Sequence, residues 1–166
     1  MTNKLKWGLI GGGEDSQIGL AHRVGAVLDG NFEFVAGALD IDPIRSREYG
    51  TRLGLVPSRA YGNWKDMLDG ECKRGDRIDL VTVATPNETH YEITKSFLEK
   101  GFHVFCEKPL TTDLDDAKKL VELAKEHKRI CAVNFGYSGY PLVRQMKAAV
   151  KRRDLGQIRV VLPNSQ

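Results

Sequence analysis

Three consecutive glycines, Gly11, Gly12 and Gly13, stand between the first apolar run of the chain and its first amphipathic stretch. A glycine loop at such a strand–helix junction lets the backbone approach a pyrophosphate, whose charge the positive end of the helix stabilises. Gly11 and Gly13 fit the first two positions of a dinucleotide-binding motif. The third position is filled only at Gly19, so a purely structural glycine turn is the alternative interpretation.

An acidic residue follows the second apolar run. Asp40 closes a strand predicted over residues 34–39, where a carboxylate would accept hydrogen bonds from the hydroxyls of an adenosine ribose. The alternative is that Asp40 or Asp42 caps the next helix, and Asp42, which precedes a proline, suits that cap better. Asp40 is therefore assigned to the ribose. The two acids favour NAD over NADP, while Arg45 and Arg47 leave NADP open.

Polar motifs follow the third and fourth predicted strands. Residues 85–90 read Thr-Pro-Asn-Glu-Thr-His, and residues 106–110 read Cys-Glu-Lys-Pro-Leu. The carboxyl ends of parallel strands form the edge at which such sheets bind ligands. An ammonium group such as that of Lys108, held near a reacting carbon, can hydrogen-bond a substrate oxygen and assist its proton transfer. The alternative is an exposed lysine in a loop.

The alternation of apolar runs and helical stretches predicts the elements that position these residues. Near-continuous Val, Ile and Leu in the short runs indicates a doubly wound α/β fold, with a parallel sheet covered on both faces. The predicted strands span residues 5–10, 34–39, 78–84, 103–106, 130–135 and 157–161. The predicted helices span residues 18–28, a stretch that opens at 42–43, then 63–68, 88–99, 113–127 and 140–153. We expect one dinucleotide-binding domain over residues 1–161, followed by a tail at 162–166.

Composition excludes several classes of protein. The chain has 166 residues, of which 41% are hydrophobic and 28% charged, as in an ordinary globular domain. No apolar run reaches the roughly 20 residues of a membrane span. The net charge of +3 is too small for a nucleic-acid-binding pattern, although residues 144–159 form a basic patch. Three scattered cysteines, Cys72, Cys106 and Cys131, give no metal site and are typical of a reducing, cytoplasmic compartment.

Taken together, the motifs resemble the Gfo/Idh/MocA family of oxidoreductases, named after glucose–fructose oxidoreductase, inositol dehydrogenase and a rhizopine-catabolism protein. The resemblance extends over essentially the whole chain. It implies an oxidoreductase that uses NAD as cofactor and acts on a sugar, a cyclitol or a related polyol. It rests on the glycine loop with Ile18-Gly19 and His22-Arg23, on Thr85–His90, on Glu107-Lys108-Pro109 and on the stretch at 140–158.

The resemblance also implies roles for individual residues. Lys108 corresponds to the functional lysine of the family, with Glu107 orienting it and a cis peptide bond leading to Pro109. Asn87 and His90 would border the nicotinamide ribose, although His90 could equally cap or pack in the following helix. Tyr137 would line the substrate side or belong to the core. The full set of implied cofactor-binding residues is Gly11, Gly13, Ile18, Asp40, Arg45, Thr85, Pro86, Asn87, His90, Glu107 and Lys108.

Family members carry a second half, which builds the substrate pocket and supplies a catalytic histidine. None of the four histidines of this chain stands in a similar motif, so we expect the cofactor-binding half, with catalysis incomplete and some self-association. The alternative is a non-catalytic nucleotide-binding module or partner protein. A methyltransferase would share the glycine loop and the strand-end acid, but it would leave residues 107–109 without a role.

Overall fold

The computed structural model describes residues 4–162. Its strands are β1 (Leu5–Gly11), β2 (Phe32–Ala38), β3 (Leu80–Ala84), β4 (His103–Glu107) and β5 (Cys131–Asn134). Its helices are α1 (Gln17–Val27), α2 (Pro43–Arg52), α3 (Trp64–Cys72), α4 (His90–Glu99), α5 (Leu114–Glu126) and α6 (Pro141–Arg152). All neighbouring strands pair in parallel, in the order β2-β1-β3-β4-β5. The predicted α/β class is confirmed.

The chain divides into two compact units, Met1–Asn134 and Phe135–Gln166. The sheet and α1–α5 belong to the first unit, and α6 belongs to the second. The boundary between these two units therefore falls after β5, where the sheet is complete.

The sixth strand predicted at 157–161 is wrong. These residues are exposed and form no strand in the described part of the chain. Their apolar pattern is suitable for a strand, but a strand also needs a neighbouring backbone to satisfy its amide and carbonyl groups. Self-association through a strand edge at this place accordingly loses its basis. The expected tail at 162–166 lies outside the described residues, apart from Leu162.

Side chains alternate between the two faces of the sheet and form two cores. On one face, Val81, Val83 and Val104 pack with buried residues of α3, α4 and α5. On the other face, Trp7 and Leu9 pack with residues of α1 and α2. Because strands that are covered on both faces need apolar residues at successive positions, their sequences read as continuous hydrophobic runs.

The α1 face is only partly covered within the first unit. Beside α1 an apolar depression of about 680 Å³ lies over β3, β4 and β5, and its lining includes Leu80, Phe105 and Ala132. This depression lies on the face of the sheet and not at the carboxyl ends of the strands.

In the described residues, no helix is both long and apolar enough to cross a bilayer.

The strand order changes direction between β1 and β3. From β1 the chain moves to β2 on one side of the sheet, and it then crosses to β3, β4 and β5 on the other side. Loops diverge at such a switch point and leave a crevice at the carboxyl ends of the strands, which is the usual ligand site of open α/β sheets. The glycine loop and the Thr85–Asn87 segment are on either side of this point.

Candidate active site

The glycine loop joins β1 to α1 through close backbone contacts. Gly11 and Gly12 have φ values of +76° and +67°, which residues with a Cβ rarely adopt. A Cβ at Gly11 would lie 2.3 Å from the carbonyl oxygen of Ala84, and one at Gly19 would lie 2.2 Å from that of Gly12. Gly19 thus supplies the close helix packing that the third glycine of the motif provides. The stretched spacing therefore keeps the tight turn and the close helix packing, and Gly12 is a further position that requires glycine.

Side chains from α1 and α2 fix this loop. Ser16 caps α1, its hydroxyl accepting a hydrogen bond from the Gly19 amide at 3.1 Å. Arg23 donates one hydrogen bond to the Gly12 carbonyl oxygen at 3.1 Å and another to the Tyr49 hydroxyl at 2.9 Å. The loop therefore has a defined shape before any ligand binds.

Two acids in the loop are offset by arginines of α2. A phosphate-binding loop is not expected to carry carboxylates, since these repel the ligand. Glu14 forms an ion pair with Arg52. The pKa of Arg45 is raised mainly by its hydrogen bond to Asp40 and to the smallest extent by the charge of Asp15. Both acids are exposed.

Ile18, an implied cofactor residue, lies partly exposed in the first turn of α1.

Asp40 and Asp42 have separate tasks. Asp42 caps α2, its Oδ1 accepting from the amides of Ile44 at 2.9 Å and Arg45 at 3.0 Å. Asp40 Oδ1 accepts from the Asp42 amide at 2.8 Å and from Arg45 Nη2 at 3.0 Å. Its other oxygen, Oδ2, lies 3.5 Å from the position that a Cβ would take at Gly13. One carboxylate oxygen of Asp40 therefore faces the glycine loop.

Electrostatics keep Asp40 ionised. The Asp42 amide, and to a smaller extent the Arg45 guanidinium, hold the pKa of Asp40 below its ordinary value of 3.8. Of the two arginines named in the sequence, Arg45 is the one that contacts Asp40. Arg47 lies 3.8 Å from Asp66 instead.

His90 joins two loops from a buried position. Its ring is completely buried, with Nδ1 2.7 Å from the Pro109 carbonyl oxygen and Nε2 2.8 Å from the Thr85 carbonyl oxygen. This burial fits the alternative that His90 packs in the structure better than a contact with the nicotinamide ribose. His90 instead fastens the end of β3 to the loop after β4.

The other residues of this motif remain at the surface. Thr85 is partly exposed, and its hydroxyl oxygen lies 2.7 Å from that of Thr89. Pro86 and Asn87 are exposed at the end of β3. These three residues therefore remain available to a ligand in the crevice.

Glu107 is the centre of a buried hydrogen-bond network. Its Oε1 lies 2.8 Å from His22 Nε2 and accepts a hydrogen bond from Asn134 Nδ2 at 2.6 Å. Its Oε2 accepts from the Lys108 backbone amide at 3.2 Å. Glu107 is only 7% exposed, so its contacts fit the expected orientation of Lys108 better than a direct contact with a cofactor. His22 and Asn134, absent from the predicted site, join this network from α1 and β5.

Lys108 is exposed directly after this anchored carboxylate. The Lys108–Pro109 peptide bond is cis, as the resemblance implies. Within residues 4–162, no carboxylate forms an ion pair with its ammonium group. Its backbone is thus held while its side chain stays free to reach a substrate.

Tyr137 and two of the cysteines, Cys106 and Cys131, have different surroundings. Tyr137 lies in the second unit and is exposed, so it is not a core residue. Burial raises the pKa of the Cys106 thiol to about 12 and that of Cys131 to about 11. These thiols are poor nucleophiles at neutral pH, because the thiolate is the reactive form.

Comparisons with known proteins agree with this geometry. A family profile named Gfo/Idh/MocA, for an oxidoreductase family with a NAD-binding Rossmann fold, matches residues 5–135. The uncharacterized oxidoreductase YfiI of Bacillus subtilis (strain 168) is 43% identical over 162 residues, which are 97% of this chain and 41% of that protein. Levoglucosan dehydrogenase of Pseudarthrobacter phenanthrenivorans is 30% identical over 93% of this chain and 39% of that enzyme.

A solved structure matches equally well. The crystal structure of an inositol dehydrogenase homolog from Azotobacter vinelandii, complexed with NADH and myo-inositol, has a TM-score of 0.93 and 45% identity, covering 96% of this chain and 42% of that chain. The chain spans about two fifths of the length of the relatives it matches. It belongs to the Gfo/Idh/MocA family of oxidoreductases, and residues 5–135 form its NAD-binding Rossmann domain.

Proposed function

We propose that this chain provides the cofactor site and the catalytic lysine of a dehydrogenase acting on a sugar, a cyclitol or a related polyol. One observation carries the proposal: the glycine loop, Asp40, Thr85–Asn87 and Lys108 all follow strands of one parallel sheet, at its carboxyl edge. The names of the relatives, levoglucosan dehydrogenase and an inositol dehydrogenase homolog with NADH and myo-inositol, support the substrate class.

The chain's own residues fit a dinucleotide along this edge. The glycine loop leaves no room for Cβ atoms, so backbone amides at the start of α1 approach the pyrophosphate. Asp40 Oδ2 faces the same loop and accepts hydrogen bonds from the adenosine ribose. Ile41, 95% exposed beside it, offers an apolar surface to the adenine. Thr85, Pro86 and Asn87 border the nicotinamide ribose.

Lys108 acts at the nicotinamide end. NAD, when bound, supplies an acceptor for the hydride that leaves the carbinol carbon of the substrate. The Lys108 ammonium group hydrogen-bonds the oxygen on that carbon and stabilises the charge that develops there. Glu107, fixed by His22 and Asn134, holds the Lys108 backbone in place. The hydroxyl proton of the substrate leaves to a second acid–base group, which we place in the part of the relatives that this chain does not span.

Lysine footprinting tests this placement without requiring turnover. Lys108 should be methylated readily by formaldehyde and dimethylamine–borane, a reductant too mild to consume NAD, in the free protein, and saturating NAD should protect it. ADP-ribose, which lacks the nicotinamide, should protect it less. Lys118, exposed on α5 and outside the loops proposed to bind the cofactor, is the control. Equal methylation of Lys108 with and without NAD would contradict its place beside the nicotinamide.

Titration calorimetry separates the alternative functions. NAD should bind and S-adenosylmethionine should not, because a methyltransferase gives no role to the anchored Lys108. Preferential binding of S-adenosylmethionine would overturn the dehydrogenase assignment. NAD binding with no protection of Lys108 would favour a non-catalytic nucleotide-binding module.

Cellular location and assembly belong to the same proposal. All three cysteines are free, which is typical of proteins in a reducing compartment, so we place the protein in the cytoplasm. The open apolar depression beside α1 supports self-association. Sedimentation velocity over a range of protein concentrations tests this last point, and a monomer throughout would contradict it.

A further inference from the structure

His22 lies in the part of α1 that is fastened to the glycine loop. One turn before it, Gly19 packs so closely on Gly12 that a Cβ would have no room. Directly after it, Arg23 donates a hydrogen bond to the Gly12 carbonyl oxygen at 3.1 Å. In the proposed function this loop binds the pyrophosphate of the cofactor. A ligand that fixes the loop therefore also fixes the turn of α1 that carries His22.

The His22 side chain reaches from α1 to the end of β4. Its Nε2 lies 2.8 Å from Glu107 Oε1, and its ring is perpendicular to that of Phe105, with the ring centroids 5.7 Å apart. Glu107 accepts two further hydrogen bonds, from Asn134 Nδ2 at 2.6 Å and from the Lys108 backbone amide at 3.2 Å. These donors fit an ionised carboxylate, which only accepts hydrogen bonds, so His22 donates through Nε2.

This hydrogen bond crosses from one side of the crevice to the other. The ends of β1 and β2 lead into the glycine loop and Asp40, whereas the ends of β3 and β4 lead into Thr85–Asn87 and Lys108. In the described part of the chain, no other hydrogen bond joins α1 to β3, β4 or β5. The remaining space between α1 and these strands is the open apolar depression, which His22 helps to line. His22 is thus the polar link between the pyrophosphate end of the site and the loop that carries the lysine.

We propose that His22 is a positioning residue that couples the two ends of the cofactor site: when the glycine loop is occupied, His22 acts through Glu107 to fix the Lys108 backbone. The proposal rests on the proposed placement of the pyrophosphate at the glycine loop. A ligand at one end of the site then orders the other end without touching it, because it removes motion that both ends share.

Exchange of the Lys108 amide hydrogen with solvent, followed by NMR with and without saturating ADP, tests this coupling. ADP contains the adenosine and the pyrophosphate but neither the nicotinamide nor its ribose, so it does not reach Lys108. In the wild type, ADP should slow this exchange by at least about fivefold, which is the lower end of typical coupling between two sites.

The Ile78 amide is the matched control for this measurement. It also donates to a buried carboxylate, Glu71 Oε2, at 2.9 Å, but it lies away from the crevice. Its exchange reports the general stabilisation that any bound ligand gives to the folded protein. The effect of ADP on Ile78 should therefore be the same in the wild type and in the variants of His22.

Two substitutions separate the hydrogen bond of His22 from its packing. His22→Gln keeps an N–H donor for Glu107 but loses the ring contact with Phe105, whereas His22→Phe keeps a ring and loses the donor. Both variants should bind ADP. ADP should slow the Lys108 exchange in His22→Gln as it does in the wild type, and it should leave that exchange unchanged in His22→Phe.

Equal slowing in the wild type and in His22→Phe would overturn the proposal. Loss of the slowing in His22→Gln alone would also overturn it and would assign His22 to packing. The wild-type measurement needs no variant, so bound ADP without any effect on the Lys108 exchange would refute the coupling even if His22→Phe did not fold. If calorimetry showed that the wild type binds neither ADP nor NAD, the proposed cofactor site itself would fail, and this proposal with it.

Discussion

At the residue scale, two carboxylates near the crevice have opposite surroundings and opposite tasks. Asp40 is partly exposed, and one of its oxygens faces the glycine loop. Glu107 is buried, and both of its oxygens accept hydrogen bonds from the protein. A carboxylate with a free oxygen can recognise a ligand, whereas one with none can only hold its neighbours in position. This difference supports the proposal that Asp40 recognises the ribose and that Glu107 positions Lys108.

The pH dependence of NAD binding should reflect the state of Asp40. Its pKa is lowered, first by the Asp42 amide and then by Arg45. The ionised form therefore persists on acidification and is lost only as the pH falls through that lowered value, below 3.8. The NAD dissociation constant, measured by calorimetry from about pH 8 to about pH 5, should change little. A tenfold weakening within that window would contradict an ionised Asp40 as the ribose acceptor.

Some of these residues could be assigned from the sequence, and others could not. A local pattern in the sequence marks three of them. Asp40 stands at the end of a strand, Asp42 precedes a proline, and Lys108 lies in a loop after a strand. His22 and Glu107 are 85 residues apart, and no local pattern indicates that they meet. No local pattern indicates the burial of His90 either, because its ring lies between carbonyl groups of two different loops.

At the element scale, α1 must lie directly against the glycine loop. Gly19→Ala would place a Cβ 2.2 Å from the Gly12 carbonyl oxygen, so the loop or the helix must move. We expect it to lower the free energy of unfolding by about 1–3 kcal/mol and to weaken NAD binding. Urea unfolding and calorimetry measure the two effects.

Gly25→Ala is the control on the same helix. Nothing lies within 4 Å of a Cβ at Gly25, so it should increase stability by about 0.5–1 kcal/mol through its better helix propensity. Equal behaviour of the two alanine variants would contradict the close packing of α1 on the loop.

A buried ion pair fastens α3 to the sheet, away from the crevice. Glu71 is completely buried and accepts from Arg59 at 3.0 and 2.6 Å, from the Tyr61 hydroxyl at 2.9 Å and from the Ile78 amide at 2.9 Å. Glu71→Gln leaves the Arg59 charge without its main partner and should cost about 3–5 kcal/mol in urea unfolding. Asp69→Asn, exposed on the same helix, should change stability by less than about 0.5 kcal/mol. Similar losses in both would refute this account.

The first five strands were predictable because each joins apolar residues to a clear turn signal. Residues 157–161 have the same local pattern, yet they are exposed and form no strand. Strand formation depends on a partner backbone, and the sequence of the segment itself does not indicate whether one is present.

At the scale of the whole molecule, we expect the chain to bind the cofactor but to turn over substrate very slowly. The residues proposed to bind NAD all lie within 11–108, whereas the chain spans only about two fifths of the length of its relatives. Positioning of substrate contributes roughly 7–11 kcal/mol to lowering a barrier, and general acid–base assistance about 10²–10⁴-fold in rate. The 166-residue chain should therefore bind NAD and form NADH from inositols and sugars at well below about one turnover per second. A faster rate on any such substrate would contradict this division.

Hydrogen exchange with and without saturating NAD tests the central claim, because it locates the bound cofactor on the molecule. Protection should appear in the loops at the carboxyl ends of the first four strands, at residues 11–16, 40–45, 85–90 and 107–110. The amides around the apolar depression on the α1 face, at residues 103–105 and 130–132, should exchange as in the free protein. Protection confined to that depression, or none at all, would contradict the cofactor site proposed here.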